Sequence, residues 1–328
     1  MDTVLITGGA GFIGSHTVDK FLNKNYKVRV LDNLSGGREQ NLAHHSKNKN
    51  LDVEFKDIRK IKKNWSFLKS INYIVHFAGI GDIVPSIENP NKYISNNFDG
   101  TLNLLNCIKD KPIKKFVYAA SSSCYGLAKT PTNEKHPIDL QHPYALSKYL
   151  GEQVSLNYSN CFKLPVNSIR IFNAFGTRSK TSGAYGAVFG VFLKQLLSNK
   201  PLTIVGDGNQ SRDFVYVTDV AEAFYKASIT KKNREIWNLG SAKPIKINHL
   251  VNLLKPNNII RIPDRPGEPR MTYANITKIT NDLKWKPKVS FDNGVKKMLK
   301  NIDYWNDAPL WTESKIKNAT KKWFDSLS

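Results

Sequence analysis

The sequence predicts an α/β fold: a doubly wound parallel sheet with a smaller C-terminal lobe. Three observations predict it. Strand-length apolar segments alternate with helix-length segments through the first half of the 328 residues, the pattern of a parallel sheet with helices on both faces. The first apolar segment runs into a glycine loop that opens a helix. The alternation then loosens after about residue 176, with Gly and Pro clusters at Gly206–Gly208 and Arg265–Pro269.

The elements follow in order. Residues 3–7 form the first strand, and Gly8, Gly11 and Gly14 follow at intervals of three into a helix over 11–24. Such a loop lets the backbone approach a pyrophosphate, and the helix N-terminus points free N–H groups at its charge. The second strand, 27–31, ends in Asp32, where an acid meets an adenosine ribose 2′-OH. Asp32 repels a 2′-phosphate, so NAD is expected over NADP. A bare glycine turn with a capping Asp is the plainer reading. Strand, loop, helix, strand and acid in that order outweigh it and make the sheet Rossmann-type. Further strands are expected at 51–55, 72–77, 114–120 and 165–172, and helices at 93–110 and 144–160. Val217–Lys226 reads as a helix and Ile236–Leu239 as another strand. Residues 1–176 are therefore expected to bind NAD. Residues 177–328 mainly form a substrate lobe, with parts of 213–240 returning to the first domain. No repeat or linker interrupts the chain.

Composition narrows the function. Net charge is +22, which raises nucleic acid as a partner. The lysines are scattered, with short clusters at Lys60–Lys63, Lys109–Lys115 and Lys296–Lys300. Without a basic tail, a zinc finger or an aromatic RNA-binding strand, no nucleic-acid role is expected. No apolar run spans a bilayer, and because the first apolar run is the nucleotide-binding strand, with no basic region before an apolar stretch, no leader is expected. The three cysteines, Cys107, Cys124 and Cys161, are odd in number and far apart. Neither disulfides nor a metal is expected, and a cytoplasmic location fits.

Tyr144 and Lys148 stand four apart, on one face of a helix. A nearby ammonium favours the phenolate, so Tyr144 is expected to titrate well below its usual value of about 10. Ser121 begins a serine run at the carboxyl end of the strand over 114–120. A hydroxyl there can bond a sugar oxygen and relay its proton to Tyr144. Alone, the pair could be an exposed aromatic–Lys contact and the serines a turn.

Larger motifs decide between these readings. The glycine loop, His76-Phe77-Ala78-Gly79, the Asn97 segment through Thr101, the serines before Tyr125-Gly126, and Tyr144 with Lys148 resemble an extended short-chain dehydrogenase/reductase. Arg170-Ile171-Phe172-Asn173, Arg212-Asp213-Phe214-Val215 and Arg265-Pro266-Gly267-Glu268 are similar to the nucleotide-sugar epimerase/dehydratase group, closest to UDP-hexose 4-epimerases. The resemblance implies residue roles. Gly8, Gly11, Phe12, Ile13, Gly14, Asp32, Asn33, Ser35, Asp57, Ile58, Phe77, Ala78, Gly79, Asn97 and Phe172 would line the NAD site with Tyr144 and Lys148. Ser121, Tyr144 and Lys148 would be catalytic. Ser121, Ser122, Asn173, Val188 and Thr272 would meet the nucleotide-sugar, and Arg212 and Arg265 would hold its diphosphate, which suits the guanidinium fork. The family also pairs the helices over 93–110 and 144–160 with their mates, so a homodimer is expected.

The residues after Ser121 separate the reactions. Dehydratase relatives carry an Asp–Glu pair or a Glu there, and decarboxylating relatives a Glu at the second position. This chain has Ser122 and Ser123, which cannot serve as that acid or base. Cys124, one residue before Tyr125, reads as packing. What remains is C4 epimerisation through a transient 4-keto sugar, which the resemblance implies is NAD-dependent and acts on UDP-Glc/UDP-Gal. It also implies that Thr272 guards the C2 side of the hexose, where a small side chain extends the expectation to UDP-GlcNAc/UDP-GalNAc, unless Thr272 simply caps a turn. The Ser182–Tyr185 loop is the other candidate for control of that pocket. The alternative function is another NAD-dependent C4 oxidoreductase or dehydratase acting on a GDP-, CDP- or dTDP-sugar.

Overall fold

A computed structural model describes residues 1–179, 188–264 and 267–327 of the chain. Arg265 and the Ser182–Tyr185 loop lie outside these residues. The first half alternates as the apolar pattern dictates. Its elements are β1 (Thr3–Thr7), α1 (Phe12–Leu22), β2 (Lys27–Asp32), β3 (Leu51–Phe55), β4 (Tyr73–His76), α2 (Val84–Glu88), α3 (Pro90–Ile94), α4 (Gly100–Ile108), β5 (Lys115–Ser121), α5 (Pro143–Phe162) and β6 (Val166–Ile171). Then come β7 (Asn173–Phe175), α6 (Val188–Leu197), β8 (Leu202–Val205), β9 (Ser211–Arg212), β10 (Phe214–Tyr216), α7 (Val217–Ile229) and β11 (Ile236–Leu239).

Seven of these strands form one parallel sheet in the order β11-β6-β5-β4-β1-β2-β3. Every residue of β1 and of β5 is buried, because a parallel sheet is covered on both faces and its strands read as unbroken apolar runs. One face packs Phe21 of α1, Phe224 of α7, Trp237 and Trp285. The other packs Leu104, Leu105 and Ile108 of α4 against Phe116 and Tyr158. Strand order reverses at β1, which lies between β2 and β4. A crevice opens at such a switch point, beyond the carboxyl ends of the strands.

The span 93–110 is one helix in the sequence reading and three pieces in the structure. A wide π turn, Ser95–Asp99, separates α3 from α4. Such turns gather at functional sites, and this one carries Asn97, whose side chain reaches Ile80 and Ser147. Gly100 follows it, and a Cβ there would lie 2.9 Å from the Ile58 side chain.

The smaller lobe is built from short ladders: β7 with β10, β8 with Ile259–Ile262, and β9 with Ile245–Lys246. Its core is aromatic, with Phe175, Phe189, Phe214, Phe291 and Trp305 packed together. Asp19 of α1 ties the two halves. Its carboxylate takes Arg178 Nη1 at 2.8 Å and the Nε2 atoms of His44 and His45, each at 2.8 Å.

Candidate active site

Gly8, at φ +70°, sits where a Cβ would lie 2.8 Å from the backbone of Phe77 and Ala78. A Cβ on Gly14 would lie 2.1 Å from Gly8 O. The loop is thus pressed between β4 and the start of α1, which no larger residue permits. Asp32 ends β2 and is almost fully buried. Its two oxygens accept from Ala10 N at 3.0 Å and Leu34 N at 2.8 Å. Burial raises its pKa and these backbone donors oppose the rise.

The loop and Asp32 open onto a cleft of about 680 Å³. Gly8, Gly11, Phe12, Ile13 and Gly14 line it from the loop. Asp32, Asn33 and Ser35 reach it from the end of β2, with Ile58 beside them. Phe77, Ala78 and Gly79 come from the end of β4, and Ser121, Tyr144, Lys148 and Phe172 complete the lining. An elongated cleft running from a ribose-seeking carboxylate past a helix N-terminus fits a dinucleotide.

Asn97 and Asp57 are not among the residues that line this cleft. Asn97 is 1% exposed and stands behind the wall. Its amide bonds Ile80 N at 2.7 Å, Ile80 O at 3.0 Å and Ser147 Oγ at 2.8 Å, so it fixes the loop after β4 to the first turns of α5. The Asp57 carboxylate is turned to Arg59, which holds its pKa down at about 2, and to Asn33.

Tyr144 and Lys148 lie in the first turns of α5, where Pro143 occupies the first position that needs no N–H. Lys148 is buried and Tyr144 is half-buried at the cleft wall. Burial pushes the Tyr144 phenol above its usual value, with the Ser121 hydroxyl opposing. Burial likewise lowers Lys148 to about 8, partly offset by Glu152. The direction is opposite to the expected lowering of the Tyr144 pKa, because desolvation outweighs the hydrogen bond from Ser121. Lys148 Nζ lies 4.6 Å from the Tyr118 ring. Ser121 accepts from Ser123 N and donates to Ser123 Oγ at 3.0 Å.

A second cleft of about 330 Å³ adjoins the first, since Phe172 and Ala174 line both. Ser122, Asn173, Val188, Arg212 and Thr272 all line it. Asn173 begins β7, opposite Phe214. Arg212 ends β9 and pairs with Glu268 at 3.1 Å and with the Pro269 carbonyl at 2.9 Å. Ser123 and His142 line this cleft too and were missed in the sequence. His142 stands two positions before Tyr144, which was the available signal.

A Rossmann-type sheet with Ser121, Tyr144 and Lys148 at the mouth of its dinucleotide cleft is the arrangement of the extended short-chain dehydrogenase/reductases. The chain belongs to the NAD dependent epimerase/dehydratase family, whose model matches residues 4–240. A Methanocaldococcus jannaschii protein provisionally assigned as a UDP-glucose 4-epimerase is 38% identical over 303 residues, which are 90% of this chain and 97% of that protein. The UDP-glucose 4-epimerase of Thermotoga maritima, solved with UDP-glucose, is 31% identical with a TM-score of 0.84, covering 93% of this chain and 99% of that one. The UDP-glucuronic acid 4-epimerase of Bacillus cereus, solved with UDP-glucuronic acid and NAD, is 30% identical with a TM-score of 0.85, over 93% and 99%.

Proposed function

We propose that this chain is an NAD-dependent UDP-sugar 4-epimerase. The observation that carries the reading is the junction of the two clefts. Ser121 and Tyr144 line the dinucleotide cleft where it meets the cleft of Ser122, Asn173 and Arg212. A sugar held there lies against the tyrosine while its diphosphate reaches the arginine.

Gly8, Gly11, Gly14 and Asp32 would hold NAD, which would supply a reversible hydride acceptor and a positive charge. The rest is done by the chain. Tyr144 takes the proton from the sugar O4 and later returns it, and Ser121 shares a hydrogen bond with that oxygen. Burial disfavours the charged phenolate and the Ser121 hydroxyl opposes that by bonding it. Arg212 fixes the diphosphate while the 4-keto sugar presents its other face. Arg265 is assigned to the same diphosphate from the sequence alone. Ser122 and Ser123 provide no acid or base for elimination, which favours epimerisation over dehydration.

The test is to incubate the NAD-loaded protein with UDP-glucose, UDP-N-acetylglucosamine and UDP-glucuronate. The 4-epimer of at least one should form without net NADH. Stoichiometric NADH, or a 4-keto-6-deoxy product, would replace this reading with the oxidoreductase or dehydratase one.

We further propose a cytoplasmic homodimer. The reading rests on the family's pairing of the helices over 93–110 and 144–160 with their mates. A monomeric mass by light scattering at micromolar concentration would contradict it. Among the described residues no helix is long and apolar enough to cross a membrane.

A further inference from the structure

The residue that caps α5 is His142. Its backbone is extended, and its Nδ1 accepts from Ala145 N at 3.2 Å. A ring nitrogen that accepts carries no proton, so the neutral imidazole holds its proton on Nε2. Burial keeps the ring neutral by lowering its pKa to about 4. The capping bond therefore fixes both the ring position and the tautomer.

The free edge of this ring is a donor without an acceptor. Among the described residues Nε2 has no hydrogen-bond partner, and it is not one of the buried polar atoms sealed inside the protein. His142 lines the second cleft together with Ser122, Asn173 and Thr272. Its ring is parallel to that of Tyr144, with centroids 5.9 Å apart and 1° between the planes. The donor thus stands beside the tyrosine that acts on the sugar, in the cleft that receives it.

We propose that His142 is a specificity residue whose Nε2–H donates to an oxygen of the bound hexose. This rests on the function proposed above. Such a donor favours a hydroxyl or carboxylate oxygen and disfavours a deoxy position, which would leave it desolvated and unpaired.

The two ring nitrogens can be separated by substitution. In His142→Asn the carboxamide oxygen replaces Nδ1, keeping the cap and losing the distal donor. In His142→Gln the longer amide places its NH₂ near the position of Nε2, keeping the donor and losing the cap. Both are made in the NAD-loaded Tyr144→Phe background, so that each bound sugar remains a single epimer. Affinities are measured calorimetrically for UDP, UDP-glucose, UDP-N-acetylglucosamine and UDP-glucuronate.

The expected result is that His142→Asn keeps its thermal midpoint and its UDP affinity. It should bind the preferred UDP-sugar about three- to tenfold more weakly, the range for one lost hydrogen bond. His142→Gln should melt lower and bind that sugar within about twofold of its parent. The proposal is overturned if the Asn variant binds the sugar normally, if it loses UDP and UDP-sugar alike, or if Gln binds the sugar no better than Asn. Wild-type turnover is scored separately. Absence of epimerisation would overturn the proposed function while the Asn–Gln comparison still decides the role of His142. If the unsubstituted parent binds none of the three UDP-sugars, both fall.

Discussion

Thr272 Oγ1 donates to Asn173 Oδ1 at 2.9 Å and accepts from Asp213 N at 3.0 Å. With its oxygen held from behind, Asn173 presents its NH₂ group to the substrate cleft. The Thr272 hydroxyl is therefore a support for a neighbour as well as part of the pocket wall. Thr272→Val keeps the shape and removes the hydroxyl. It should raise KM for the UDP-sugar about three- to tenfold with little change in kcat, and Thr272→Ser should restore it.

That control sharpens the size argument. The small side chain predicts turnover of UDP-GlcNAc as well as UDP-Glc. Thr272→Tyr should depress the N-acetyl substrate more than the plain hexose, whereas Thr272→Val should depress both equally. Equal losses in the tyrosine variant would remove Thr272 from the choice of sugar.

Tyr144→Phe should reduce turnover by more than the 10²–10⁴ typical of an acid–base group, because one hydroxyl both takes and returns the proton. The fold and NAD content should be unchanged, because the Tyr144 backbone N–H keeps its bond to Ser86 Oγ at 3.1 Å. Near-normal turnover would exclude Tyr144 from the mechanism.

Asp32→Asn should weaken NAD binding by about 1–3 kcal/mol, the usual effect of degrading a buried polar partner. Tighter binding of NADP than NAD by the unaltered protein, read by fluorescence titration, would contradict the assignment of Asp32 to the ribose.

Glu152 and Arg170 form a buried pair at 2.6 Å between α5 and β6. Ser168 Oγ also donates to Glu152, and Arg170 donates to the Tyr125 hydroxyl. Arg170→Met leaves a carboxylate buried and unpaired, and should lower stability by about 3–5 kcal/mol in urea denaturation. Because α5 carries Tyr144 and Lys148, activity should fall in the surviving folded fraction as well.

Acid should also destabilise the fold through two buried histidines. Burial lowers His76 to about 3 and His16 to about 4, from the usual 6.5. Between these values and 6.5 the unfolded chain binds more protons, so stability falls as pH falls through that window. Each should contribute about 2 kcal/mol of loss between pH 7 and pH 5. A flat denaturation midpoint over this range would contradict the buried neutral rings.

The parallel sheet and the glycine cleft were legible because both are written locally. Strands covered on two faces are continuous apolar runs, and a loop residue whose Cβ would lie 2.8 Å from the Phe77 and Ala78 backbone must be glycine. What escaped depends on distant partners. The break at Ser95–Asp99 carries Asn97, whose side chain crosses to Ile80 and Ser147, bonds that residue spacing does not report. The Tyr144–Lys148 spacing identified the pair, yet the direction of the phenol shift is set by burial, which spacing does not report. His142 was overlooked because a helix cap has a sufficient local reason to exist, and only the cleft reveals its second nitrogen.

The outermost strand of the main sheet has a consequence for biosynthesis. Strand β11 pairs with β6, and α7 covers Phe21 of α1, although both arrive more than forty residues after β6 in the chain. A nascent polypeptide that has emerged only to residue 176 already carries the whole glycine loop, Asp32, Tyr144 and Lys148. It also exposes an unpaired strand edge on β6 and a bare aromatic face, the features that recruit other chains. Truncation at that boundary should therefore yield aggregate rather than a small dinucleotide-binding protein. Ribosomal pausing between residues 176 and 240 is where this sequence is most exposed to misassembly.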